Sequence, residues 1–228
     1  TRANPQGFEI RTGRYNEAEL TPDTFACILQ YPNGDGNIED YRTFVENAHA
    51  AGCKVAVAAD ILSLALLTPP GEWGADIVFG TTQRLGTPMF YGGPSAAYFA
   101  TRDEYKRNMP GRIIGWSKDK YGKLCYRMAL QTREQHIKRE KATSNICTAQ
   151  ALLATMAGFY VVYHGPEGIR TIAKRIHNIA AYLEKEISKL GYKQVNVQYF
   201  DTLRFALPDN VSAQQVRTVA LSKEVNLR

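Results

Sequence analysis

The 228-residue sequence predicts an α/β fold built on a mainly parallel sheet, and three observations predict it. The runs 54–59 and 76–79 are apolar at nearly successive positions, as in strands covered on both faces, where no polar alternation survives. Between the first two strand-like runs, Ile38, Tyr41, Phe44, Val45 and Ala48 recur at three- and four-residue steps, the period of a helix with one buried face. Polar residues then follow the strands directly: Asp60 after the second and Gly80-Thr81-Thr82-Gln83-Arg84 after the third. Ligands of open α/β sheets bind at such carboxyl ends.

Taken in order, 25–30 reads as a buried strand that ends at the turn formers Pro32, Asn33, Gly34 and Gly36. A helix over 38–51 follows, with Gly52 at its C-terminal cap, and then the strand 54–59. The strand 76–79 comes next, and 96–100 and 112–116 read as further strands. Tyr121-Gly122 marks a hairpin turn before a strand over 124–130. The stretch 131–145 is polar and basic; 148–163 is apolar and long enough for a buried helix ending at His164-Gly165. Pro166 suits the first position of a new amphipathic helix, whose apolar face runs from Ile169 through Ile176 and Leu183 to Leu190. Beyond Gly191, 195–207 reads as one strand and Ser212 as the cap of a last helix. This divides the chain into a large domain, 1–165, and a linking long helix with part of a smaller α/β domain, 166–228. The start at Thr1-Arg2-Ala3-Asn4 has neither an initiator Met nor an apolar signal core and reads as internal.

With 44% hydrophobic, 11% aromatic and 22% charged residues, the composition is that of an ordinary globular protein and excludes disordered, collagenous and coiled-coil classes. No apolar run approaches the roughly 18 residues a membrane span needs, so no membrane partner is expected. The four cysteines, Cys27, Cys53, Cys125 and Cys147, form no C-x-x-C pair, which argues against a zinc site or a disulfide framework and for reduced, mostly buried thiols. A net charge of +6 raises nucleic acid as a partner. No nucleic-acid motif accompanies the charge and no aromatics interleave the basic run, so no nucleic acid is expected.

Three clusters can carry chemistry. Asp60, at a strand end, is either the N-cap of a helix over 61–67 or a carboxylate that holds a protonated ring nitrogen. Thr81, Thr82, Gln83 and Arg84 offer hydroxyls and a cation at the next strand end, as a phosphate loop or as an ordinary turn. In the third cluster Arg133, His136, Arg139 and Lys141 alternate with amide and hydroxyl groups including Thr143, Ser144 and Asn145, as an anion-recognising surface or a solvated face.

Longer patterns point to a family. Gln30-Tyr31-Pro32-Asn33, Pro69-Pro70-Gly71-Glu72-Trp73-Gly74-Ala75-Asp76-Ile77, Tyr91-Gly92-Gly93-Pro94, Met109-Pro110-Gly111-Arg112, the run from Ala129 to Ile137 and that from Lys141 to Gln150 closely resemble the glycine cleavage P-proteins, in particular their N-terminal half. The resemblance implies the fold of pyridoxal phosphate-dependent transferases of the aspartate aminotransferase class. It also implies a parent reaction in which glycine is decarboxylated and its aminomethyl group passes to the lipoyl arm of H-protein. The partners so implied are the catalytic C-terminal half or subunit, lipoylated H-protein and glycine, in a homo-oligomer of the cytoplasm, or of the mitochondrial matrix in a eukaryote.

In the family's C-terminal half a lysine preceded by His forms the Schiff base with pyridoxal phosphate. The corresponding positions here are Gln83 and Arg84. A guanidinium has no neutral amine to condense with an aldehyde, so no residue of this half is expected to be catalytic, the cofactor being bound covalently by the other half. Asp60 and 81–84 would then be a degenerate cofactor site, and Arg133, His136, Arg139, Lys141, Thr143, Ser144 and Asn145 would line the interface with the catalytic half or the lipoyl channel. No metal is expected. An alternative is a non-catalytic module that only supports assembly.

Overall fold

The computed structural model describes residues 3–109, 113–130, 135–142 and 150–227, with side chains for all of these except residues 135 and 136. A four-stranded sheet is formed by β1 (Ala26–Tyr31), β2 (Lys54–Ala59), β3 (Ile77–Thr81) and β4 (Ala97–Thr101), in that spatial order. The first three strands are parallel and β4 is antiparallel to β3. Register follows the hydrophobic pattern: Leu29, Val57 and Val78 lie side by side and point to the covered face.

That face is closed by Tyr41, by Val45 and Ala48 of α1 (Arg42–Ala50), and by Trp73 of a 3-10 turn, Pro70–Trp73. The helix begins later than its apolar period suggests. The backbone N–H of Ile38 is donated to Gln198 O at 2.9 Å, and Asp40 accepts the N–H of Arg42, so 37–41 is drawn into other bonds before the helix starts.

Among the described residues, only one face of the sheet is covered. Ile28 is 73% exposed and Phe99 45%, while Ala56, Ala58 and Phe79 between them are only half-buried. The apolar runs predict cover on both faces, and the described residues supply it on one side only.

After the sheet, β5 (Ile113–Lys118) and β6 (Leu124–Leu130) pair as an antiparallel hairpin. Its turn is held by Asp119, whose Oδ1 accepts the N–H groups of Tyr121 and Lys123, with Gly122 at φ 80°. A four-residue helix, α2 (Gln135–Lys138), and a 3-10 turn, Arg139–Lys141, follow. The long helix α3 spans Ala151–Lys189 and is broken at Gly165 (φ 63°, ψ 178°), immediately before Pro166. This is where the sequence places the end of one helix and the start of the next.

The second half of α3 packs through Ile169, Ile172, Ala173 and Ile176 against Leu62 and Phe200, a second core separate from the one over the sheet. The stretch 195–207 is not one strand. Only β7 (Lys193–Gln194) and β8 (Phe205–Ala206) pair, and the chain between them forms a loop around buried Asn196. The Asn196 amide donates to Thr202 O and its Oδ1 accepts the N–H of Arg204, both at 2.7 Å, so one side chain replaces the ladder bonds a strand would need. The last helix, α4 (Ala213–Ser222), starts at Ser212 with a capping box completed by Gln215.

Candidate functional site

The sheet brings the ends of β2 and β3 together, and with them Asp60 and the segment 81–84. Gly80 makes this approach possible: a Cβ there would collide with Ala59 O and lie 2.7 Å from the Tyr98 ring. Tyr98 crosses the same gap and donates its hydroxyl to Ala59 O at 2.8 Å. Burial pushes that hydroxyl up to about 12, with the charge of Asp60 adding to the shift, so Tyr98 stays a proton donor here.

Asp60 performs two tasks. Its Oδ1 accepts the N–H of Leu62 at 3.0 Å, opening a short 3-10 turn, Ser63–Ala65, rather than a helix through 61–67. Its Oδ2 lies 2.9 Å from Nη2 of Arg84. The same nitrogen lies 2.5 Å from Oδ2 of Asp201, and the guanidinium sits 5.9 Å from the Phe200 ring centre. One cation is thus shared between two carboxylates, over an aromatic face.

The neighbouring hydroxyls are turned to local use. Thr81 Oγ1 accepts the N–H of Gln83 at 3.1 Å and donates toward Ala96 O, which closes the turn. The hydroxyls of Thr82 and Thr87 are buried with no hydrogen-bond partner among the described residues. Gln83 is half-buried beside them. Arg139 and Lys141 are exposed on their 3-10 turn. Arg133, Thr143, Ser144 and Asn145 lie outside the described residues, as does the side chain of His136.

Asp201 and Phe200 belong to this constellation and are not among the residues singled out by sequence. The signal available was a charged residue inside an apparent strand, 195–207, which is where a turn interrupts it. A shallow depression of about 430 Å³ lies elsewhere, lined by α3 alone (Thr171, Lys174, Arg175, Asn178, Ile179 and Tyr182). With one wall and no convergent groups, it does not compete with Arg84 and its carboxylates as the chemical centre. Among the described residues no His, Cys, Asp or Glu cluster could hold a metal, and no helix is long and apolar enough to cross a membrane.

The family model for the glycine cleavage system P-protein matches residues 1–228. Glycine dehydrogenase (decarboxylating) of Bacteroides fragilis is 84% identical over the whole chain, and that of Nostoc sp. is 55% identical. The chain spans 24% and 23% of those two proteins. Among solved structures, glycine decarboxylase (P-protein) of the glycine cleavage system in inhibitor-bound form superposes with a TM-score of 0.87 at 34% identity, covering 98% of this chain and 52% of that one. Aspartate aminotransferase from Thermus thermophilus superposes with a TM-score of 0.59 at 14% identity, over 88% of this chain and 53% of that one, which establishes the shared transferase fold. The match reaches Thr1 and Arg228, beyond the motifs visible by eye.

Proposed function

Because this chain belongs to the glycine cleavage system P-protein family, we propose that it serves the decarboxylation of glycine and the transfer of its aminomethyl group to lipoylated H-protein as a part that performs no covalent step itself. The observation that carries this reading is Arg84. By the family resemblance it corresponds to the Schiff-base lysine, and its guanidinium is occupied by Asp60 and Asp201.

Pyridoxal phosphate does not fit the residues gathered here. It would need an amine to condense with and a free carboxylate facing its ring nitrogen. Arg84 supplies no such amine, and it already neutralises Asp60. The cofactor therefore belongs to the homologous catalytic half, and no reaction step is routed through this site.

In the same proposal, Arg133, His136, Arg139, Lys141, Thr143, Ser144 and Asn145 face that half or line the path of the lipoyl arm. The break at Gly165 separates a large domain, 1–165, from the start of a smaller one, 166–228. The assembly is a homo-oligomer in a reducing compartment, the cytoplasm or the mitochondrial matrix of a eukaryote. Cys27 and Cys53, unbonded with sulfurs 3.3 Å apart, suit such a setting.

The test is cofactor trapping in the full-length protein. Borohydride reduction followed by peptide mass spectrometry is expected to yield one stoichiometric pyridoxyl adduct, on a lysine outside this chain. A stoichiometric adduct on any lysine of 1–228 would overturn the reading. Arg84→Lys is expected to add no second adduct, since the amine alone does not restore the carboxylate and phosphate contacts.

A further inference from the structure

We propose that Arg84 latches the 196–204 loop over the carboxyl ends of β2 and β3, so that Asp201 is a positioning residue of the site and loop opening is governed by one guanidinium. This goes beyond the functional reading, since such a latch would work whether or not the site ever held a cofactor.

Four observations carry it. Arg84 and Asp201 are 117 residues apart in sequence and are joined at 2.5 Å by a charge-assisted bond. Asp60, the other partner, is held in place by the N–H of Leu62, so it is a fixed anchor rather than a mobile counterion. The loop is seated as well as tied. Phe200 is buried between Leu62 and Ala173, and its carbonyl lies 2.8 Å from His177 Nδ1. Thr202 abuts Gly36 so closely that a Cβ on that glycine would sit 2.7 Å from Thr202 O.

Of the remaining ties, the Asn196 amide holds Thr202 O at 2.7 Å from within the loop, and two others hold its flanks. Ile38 N–H reaches Gln198 O, and Arg204 pairs with Asp35 at 2.6 Å. Arg84 alone among the described cations grips the apex. Its removal would also leave two carboxylates facing each other around the place of a single missing nitrogen, so repulsion would replace attraction. Opening of the loop would then uncover Asp60 and the ends of β2 and β3.

Hydrogen exchange of the full-length protein, compared with Arg84→Ala, Asp201→Asn and the double variant, tests this. Each single change is expected to speed amide exchange over 196–204 at least tenfold while amides of β2 stay within twofold of the parent. Arg84→Ala is expected to be the faster of the two, and the double variant no faster than Arg84→Ala, because both changes release one bond. Should Arg84→Ala fail to fold, the nearly isosteric Asp201→Asn carries the test by itself. Exchange over 196–204 within twofold of the parent, an equal rise in β2, or multiplicative effects in the double variant would each overturn the latch. None of these readouts depends on where pyridoxal phosphate is trapped.

Discussion

The sheet and the β5–β6 hairpin are written in similar apolar and aromatic residues, yet they end in opposite environments. Val55 and Val57 of β2 are fully buried, whereas Trp116 and Tyr126, a tilted pair with ring centres 5.2 Å apart on one face of the hairpin, are 72% and 74% exposed. Ile114, Leu124 and Met128 extend the same exposed stripe. A two-stranded hairpin is marginal in water by itself, and an apolar stripe of this kind marks a surface made to be covered. The contrast separates apolar residues that stabilise the chain from apolar residues left exposed among those described. Sheet residues belong to the first class, hairpin residues to the second.

The largest expected effect is in the sheet. Asp76, 2% exposed and immediately before β3, accepts the N–H of Val55 and lies 2.8 Å from His49 Nε2. Asp76→Ala would leave the buried Val55 N–H unpaired and take the partner from His49, and is expected to destabilise by about 3 kcal/mol, read as a lower denaturation midpoint at unchanged slope. A loss below about 0.5 kcal/mol, the size ordinary at surfaces, would erase the distinction between the two regions.

Acid gives the next effect. Burial alone would raise the Asp76 carboxyl, but the Val55 N–H, His49 and Arg102 outweigh it and hold it below the ordinary carboxylate value. A depressed folded value means that the stabilisation is complete above the unfolded value of about 3.9 and is lost as pH falls through the lower folded one. The parent is therefore expected to lose more stability than Asp76→Asn between about pH 4 and pH 2. Equal losses in the two would show that Asp76 is not the group responsible.

At the hairpin the expected stability change is the smallest. Trp116→Ala with Tyr126→Ala should move the melting free energy by no more than about 0.5 kcal/mol, because little of either ring is buried here. The same pair is expected to weaken assembly of the full-length protein at least tenfold in sedimentation. Unchanged assembly with a clear drop in stability would reverse the assignment of the two regions.

Local rules made much of this molecule legible. The bounds of β2, the helix cap at Ser212 and the break at Gly165-Pro166 each follow from residues within a few positions of one another. The loop at 196–204 escaped because Val195, Val197, Tyr199 and Phe200 have strand propensity, and only the side chain of Asn196, bonded to backbone up to eight residues away, makes a loop preferable. The sheet face left uncovered by the described residues escaped because an apolar run records hydrophobic positions, not what lies against them. At the site, Asp60 and Arg84 were visible as residues at strand ends. Their engagement with each other and with Asp201 depends on tertiary placement that no local pattern encodes.

Gly165 sets a mechanical scale. Downstream of it α3 continues to Lys189 as a rod of about 36 Å at the helical rise per residue. A tilt of about 5° about that one peptide would swing the far end by roughly 3 Å over such a length, enough to part any hydrogen bond there. His177, whose ring meets the carbonyl of Phe200, lies about midway along this arm. Glycine is the fulcrum because its φ of 63° with ψ near 178° is a pairing that side-chain-bearing residues avoid. A methyl group at that position would move the load as well as the pivot.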